Sequence, residues 1–127
     1  MVSLTNQQVE LLHFYYYLLD TIEDGFDYIT ASYTNLELNE SERLFKDILS
    51  AFYHIDSSHI VIEAIFEDDD KIRTSIHHFD VIINILETEP VNTQSYTNPH
   101  FIKNELIPAY QAWKEPIQTN LSKYIIQ

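Results

Sequence analysis

TNQQVELLHFYYYLLDTIEDGFDYITASYTNL, Thr5 to Leu36, is the stretch whose reading decides the fold. Stepping by threes and fours from Leu12 picks out Tyr15, Leu19, Ile22, Phe26, Ile29, Tyr33 and Leu36 with no polar interruption. That spacing keeps one apolar stripe on a single side of an α-helix, the side that packs on other helices. Thr5 as N-cap with Gln8 three residues on gives a capping box at its start. Gly25 is the sole glycine of the chain. It costs up to about 1 kcal/mol against alanine inside a helix, so it marks a kink or the close approach of a neighbouring backbone. The stripe stays in phase through it, which favours one continuous helix.

Three more amphipathic segments follow. Asn39 and Glu42 form a second capping-box candidate, opening a helix over Glu40–Phe66. Its seam is read as Leu44, Ile48, Ala51, Ile55, Ser58, Ile62 and Ile65, beside a line at sevens of Phe45, Phe52, His59 and Phe66. Two adjacent apolar lines make the broad face of a bundle helix rather than a narrow coiled-coil seam. Asp70 is the expected N-cap of a third helix, Lys71 to Thr88, with Ile72, Ile76, Phe79, Ile83 and Leu86 inward and Pro90 as its stop. Val91–Asn98 reads as a loop, and Asn98-Pro99 starts the fourth helix. Its stripe is Ile102, Leu106, Tyr110, Trp113, Ile117, Leu121 and Tyr124. Pro108 and Pro116 fall inside that stripe without shifting its phase, so a bent helix is expected, with Pro108 the place for a break. The fold class is all-α, an up-and-down four-helix bundle forming a single domain over residues 1–127.

Composition agrees. The chain has 127 residues, 45% hydrophobic and 21% charged, enough to bury a core and too apolar for disorder. One Gly and four Pro leave too few turn residues for an all-β fold. A net charge of −13 argues against phosphate-backbone binding and against anionic membrane surfaces, both of which rely on Lys and Arg. No nucleic acid and no membrane are therefore expected as partners. The absence of Cys removes thiol chemistry. The opening MVSLTNQQ has no basic n-region or apolar core, and no run is long enough to span a bilayer, so the expected location is cytoplasmic.

No catalytic residue, cofactor or metal site is expected. Bundle metal centres use inward Glu and Glu-x-x-His pairs on several helices. This chain offers Glu10–His13 and Asp56–His59, with His77, His78 and Asp80 on the third segment and only Glu105 on the fourth. That set is incomplete. His59, within a line of phenylalanines, reads better as a hydrogen-bonded core residue, although His13 or His59 with nearby carboxylates keeps a metal-binding bundle as the alternative function. Asp68-Asp69-Asp70 invites calcium, but counting from Asp68 puts Arg73 where the EF-hand needs Gly and Phe79 where it needs Glu. No Ser sits in a Gly-rich elbow, and one Gly cannot build a phosphate loop.

The best remaining feature is the back of the first helix. Asp20, Glu23, Asp24 and Asp27 are three or four apart and share a face, and residues 1–39 carry six acids and no base. Residues 90–127 carry Glu105 and Glu115 against Lys103, Lys114 and Lys123, so the fourth helix can lie beside the first with partial charge compensation. The leading expectation is a non-enzymatic protein-interaction module, chaperone-like or a regulatory adaptor. Asp20, Glu23, Asp24, Asp27, Tyr16 and Tyr17 would form a face for a basic protein partner. The surplus of aromatics, Tyr16, Tyr17, Tyr53 and Tyr96, leaves monomer and homodimer both open. In its Ile-, Asn- and Tyr-rich wording the chain resembles small all-α proteins of AT-rich Gram-positive bacteria. In charge and expected architecture it resembles the acidic helical-bundle chaperones of flagellar and secretion export systems. Neither likeness rests on a motif, so neither assigns a residue a role.

Overall fold

The Thr5 box forms as read. In the computed structural model, which describes residues 3–88, 91–92 and 94–125, the Gln8 amide donates to Thr5 Oγ1 at 3.1 Å. The Thr5 amide donates in turn to Gln8 Oε1 at 2.9 Å. Helix α1 then runs Asn6–Ser32 and buries Leu12, Tyr15, Leu19, Ile22, Phe26 and Ile29. The expected stripe ends there. Tyr33 is half-buried, and Leu36 lies beyond the helix in a turn with 95% of its surface exposed. Gly25 marks a close approach: a Cβ added there would stand 3.1 Å from Ile48 Cδ1.

Helix α2, Ser41–Ile65, turns its face by about one residue from the expected seam. Its buried set is Phe45, Ile48, Phe52, Ile55, His59 and Ile62, with Phe66 just past the end, while Leu44, Ala51, Ser58 and Ile65 are only half-buried. The phenylalanine line is therefore the centre of the face, because aromatic rings bring the most apolar area out of water. Asn39 does not cap this helix. Glu40 is the N-cap residue and has no side-chain cap bond. Its amide donates instead to the Tyr28 hydroxyl at 3.1 Å, and its carboxylate meets Arg43 Nε at 2.7 Å.

The expected third helix is two. Helix α3 spans Asp70–His77 and α4 spans Asp80–Thr88, with Phe79 inserted into the core between them. The Phe79 amide bonds three residues back, to the Ile76 carbonyl, a tightening that brings Ile82 inward in place of Ile83. The cap is Asp69, whose carboxylate accepts from the Ile72 amide at 3.1 Å, and not Asp70. Pro90, the expected stop, lies outside the described residues.

A 3-10 turn, Ser95–Thr97, interrupts the expected loop, and Tyr33 Oη donates across to the Tyr96 carbonyl. Asn98 caps as expected, accepting from the Phe101 amide at 3.1 Å. The chain then forms a wide π turn, Phe101–Leu106, before helix α5, Ile107–Ile125. The Ile107 amide reaches back five residues to the Ile102 carbonyl, one position ahead of Pro108, which has no amide to give. Helical backbone continues past Pro108 and through Pro116. The buried set of α5 is Tyr110, Trp113, Ile117, Leu121 and Ile125, while Tyr124, expected inside, is half-buried. Among the described residues the chain is all-helical with no strand. Helix α1 packs on α2 and α5, and α3 packs on α5 and α2.

Candidate functional site

The six expected face residues do not act as one surface. At about 100° per residue, Glu23, Tyr16, Asp27 and Asp20 fall on the flank toward α5, and Asp24 and Tyr17 turn outward. On the α5 side Lys114 Nζ lies 3.0 Å from Asp20 Oδ1 and 2.9 Å from Glu23 Oε2. The Lys114 side chain is only 14% exposed, so its stem is covered while its ammonium sits between two carboxylates. Gln118 Nε2 donates to Asp20 Oδ1 at 3.1 Å and to the Tyr16 carbonyl at 3.0 Å. Burial works to raise the Asp20 carboxyl, but the Gln118 hydrogen bond and the Lys114 ammonium outweigh it and hold it below the usual range. Burial likewise works to lower Lys114, and Glu23 and Asp20 more than offset it, leaving the amine raised. This is the charge compensation between first and last helices that the acid-base distribution suggests. An open groove of about 550 Å³ runs along it, lined by Tyr16, Glu23, Lys114 and Gln118 among others.

The other two acids differ. Asp24 and Asp27 are exposed and make no hydrogen bond or ion pair among the described residues. Tyr17 is 51% exposed, with Tyr16 edge-on at 5.1 Å and His13 at 6.1 Å between ring centres. Beyond Tyr17, toward α2, Phe14 is 59% exposed and its ring lies 6.2 Å from that of His54. On α2, Tyr53, Ile60 and Val61 are also exposed, at 54%, 76% and 51%; at about 100° per residue Val61 falls beside His54, while Tyr53 and Ile60 turn away from α1. The sequence signal for that surface is an absence: from Ile48 to Ile62 the one charged residue is Asp56.

The histidines do not gather into a metal centre. Among the described residues, no group of three or more His, Asp or Glu side chains is arranged to hold a metal ion. His59 is buried, and its Nε2 shares a 2.7 Å hydrogen bond with the Tyr15 hydroxyl. The rings of Phe79 and Trp113 stand 5.0 and 5.8 Å away. Burial drives the His59 imidazole down to about 4, Glu63 pulling it up slightly and His77 pushing it down, so it is neutral at pH 7. Burial pushes the Tyr15 phenol well above its ordinary value. The neutral pair is a core hydrogen bond inside an aromatic cluster. Tyr110 and Trp113 complete the core in the same way, donating to the Leu19 carbonyl at 2.7 Å and the Ser75 carbonyl at 3.0 Å. His77 lies at the surface and bonds Glu63 at 2.9 Å. Of the three aspartates, Asp69 is occupied by its cap, by the Tyr124 hydroxyl at 3.3 Å and by Lys123 at 3.9 Å.

Among the described residues, no helix is long and apolar enough to cross a membrane. No solved structure matches the chain. A protein of Bacillus subtilis (strain 168), "Uncharacterized protein YvzG", is 29% identical over 119 residues, which cover 91% of this chain and 93% of that protein. The family described as "Domain of unknown function (DUF8042)" matches residues 10–115, from the first helix into α5, and the chain belongs to that family.

Proposed function

We propose that this chain is a non-enzymatic protein-interaction module, chaperone-like or regulatory, that takes a basic protein partner on the outward side of α1. In this reading residues 1–127 are a single up-and-down four-helix bundle in the cytoplasm, with the last helix bent at its prolines. Asp20 and Glu23 serve the fold, and Asp24, Asp27 and Tyr17 meet the partner, with Tyr16 at the edge. The observation that carries the proposal is the contrast in pairing. The acids nearest α5 have Lys114 and Gln118, while Asp24 and Asp27 stand exposed without a partner among the described residues. Unpaired like charges on one helix face cost a few tenths of a kcal/mol per pair, and complementary charge on a partner removes that cost.

The test is a pull-down from native extract comparing the wild-type chain with Asp24→Lys and Asp27→Lys together. Asp20 stays intact, because reversing it would also disturb Lys114. Loss of a specific co-purifying protein from the double variant, with its fold intact, supports the proposal. Every partner retained at full strength by the double variant overturns it.

A further inference from the structure

We infer that the cleft beside the α1–α2 connection binds a small primary amine with an apolar body. The cleft lies where that connection meets the 3-10 turn and holds about 370 Å³. Such a volume is at the small end of ligand pockets, suited to a single ring or a short alkyl chain rather than a nucleotide. Its walls include Tyr33, Leu36, Leu38 and Tyr96, so a ligand's body would meet mainly aliphatic and aromatic surface. Leu36, almost wholly exposed in its turn, would be covered by that body.

The polar atoms of the cleft select the charge. Ser32 Oγ donates to the Ile29 carbonyl at 2.6 Å, and a carbonyl can only accept. The Ser32 oxygen must therefore accept from Ser41 Oγ, 2.9 Å away, which uses the single hydroxyl hydrogen of Ser41. Ser41 is buried in the cleft wall, and no donor reaches its oxygen among the described residues. Tyr33 and Thr97 commit their hydroxyl hydrogens in the same way, to the Tyr96 and Gln94 carbonyls. These four side chains therefore present acceptors to a ligand. Glu42 is the one charged residue of the lining. Gln94 Nε2 donates to its Oε1 at 3.1 Å, and no cation pairs with it among the described residues, since the neighbouring Arg43 is held by Glu40 and Asp47. The first amides of α2 have no side-chain cap and would by themselves favour an anion, but Glu40 and Glu42 stand beside them and repel one. A primary ammonium answers both demands: it brings donors to Ser41 Oγ and positive charge to Glu42, with the tyrosine rings against its body.

The experiment titrates the full chain calorimetrically with phenylethylamine. Phenylpropionate, phenylethanol and methylammonium serve as controls that reverse the charge, remove it and remove the body. Wild-type protein should bind phenylethylamine saturably and at least about tenfold more tightly than each control. Glu42→Gln leaves an acceptor for Gln94, and Leu36→Ser alters an exposed side chain outside the helices. Each should weaken binding about tenfold with the helical content unchanged. Ser41→Ala removes the buried acceptor and should weaken it similarly. No saturable binding of phenylethylamine, or equal affinity for phenylpropionate, overturns the proposal. Unchanged affinity in both Glu42→Gln and Leu36→Ser places the amine elsewhere on the acidic surface and overturns it too. If Nα-acetyl-lysine amide displaces phenylethylamine and binds more tightly, the cleft belongs to the lysine of a protein partner and the free-amine proposal falls.

Discussion

Helix α1 meets its two neighbours in opposite chemical ways. Toward α2 it offers Tyr15 to His59 in a buried bond between neutral groups, with Gly25 letting Ile48 approach. Toward α5 it offers Asp20 and Glu23 to Lys114, a charged triad at the rim, with the Asp20 side chain 51% and the Glu23 side chain 38% exposed. The difference follows from the cost of burial. A neutral hydroxyl and imidazole need one hydrogen bond to enter a core, whereas ions taken fully from water need far more. The two contacts should therefore respond to different variables: the α2 side to protonation and volume, the α5 side to salt.

Acid gives the largest expected effect, on the α2 side. The His59 pKa is about 4 in the folded chain against 6.5 for the free side chain, so between those values the unfolded chain binds the extra proton. The stabilisation is complete above pH about 6.5 and is lost as pH falls toward 4, to a total of about 3 kcal/mol. Denaturation midpoints across that range should show the slope in the wild type and lose most of it in His59→Gln. A slope that survives the substitution would move the titration elsewhere and break the comparison.

Removing one member of the buried pair comes next. Tyr15→Phe leaves His59 Nε2 unsatisfied and should cost about 1–3 kcal/mol. Adding His59→Leu should recover part of that loss, because the second polar group is then gone as well. Strictly additive losses in urea melts would mean the 2.7 Å contact carries no coupling.

Gly25 tests volume on the same side. Alanine gains helix propensity of about 1 kcal/mol but meets Ile48 Cδ1 at 3.1 Å, so Gly25→Ala alone should change stability little. In an Ile48→Val background, which lacks that carbon, the same change should stabilise by up to about 1 kcal/mol. The gain is read as a shift in melting temperature between the two backgrounds.

How much of this was legible in the sequence depends on which physical signal each feature leaves. The α1 stripe and its Thr5 box are written in local spacing, and both form, the stripe as far as Ile29. The α2 face was read as two lines and is centred on the phenylalanine line, because spacing alone weighs Leu44 and Phe45 equally and only burial favours the larger ring. The break at Phe79 left no Gly or Pro behind: a three-residue bond shifts the phase from Ile83 to Ile82 without a breaker. His59 was legible as a core histidine from its phenylalanine line, but its partner is 44 residues away in the chain. The acidic face was half legible. Net charges of the first and last segments foretold compensation, while the loss of Asp20 and Glu23 to Lys114 needs to be seen in three dimensions.

The smallest effects separate the two kinds of acid on α1. Lys114→Met strands Asp20 and Glu23 beside each other and should cost about 1 kcal/mol at low ionic strength, less as salt screens the repulsion. Because Lys114 helps hold the Asp20 carboxyl down, the wild-type contribution is present above pH about 4 and fades as pH falls through the depressed value. In the variant that loss on acidification should shrink, because the Asp20 carboxyl is no longer held down by Lys114 and its protonation relieves the repulsion with Glu23. Asp24→Asn with Asp27→Asn should move stability by no more than about 0.5 kcal/mol, and toward greater stability, since nothing is unpaired and two like charges are removed. Equal destabilisation by the two variants would show that the outward aspartates hold the fold together just as the α5-facing ones do. The division of α1 into a structural flank and a binding flank would then be lost.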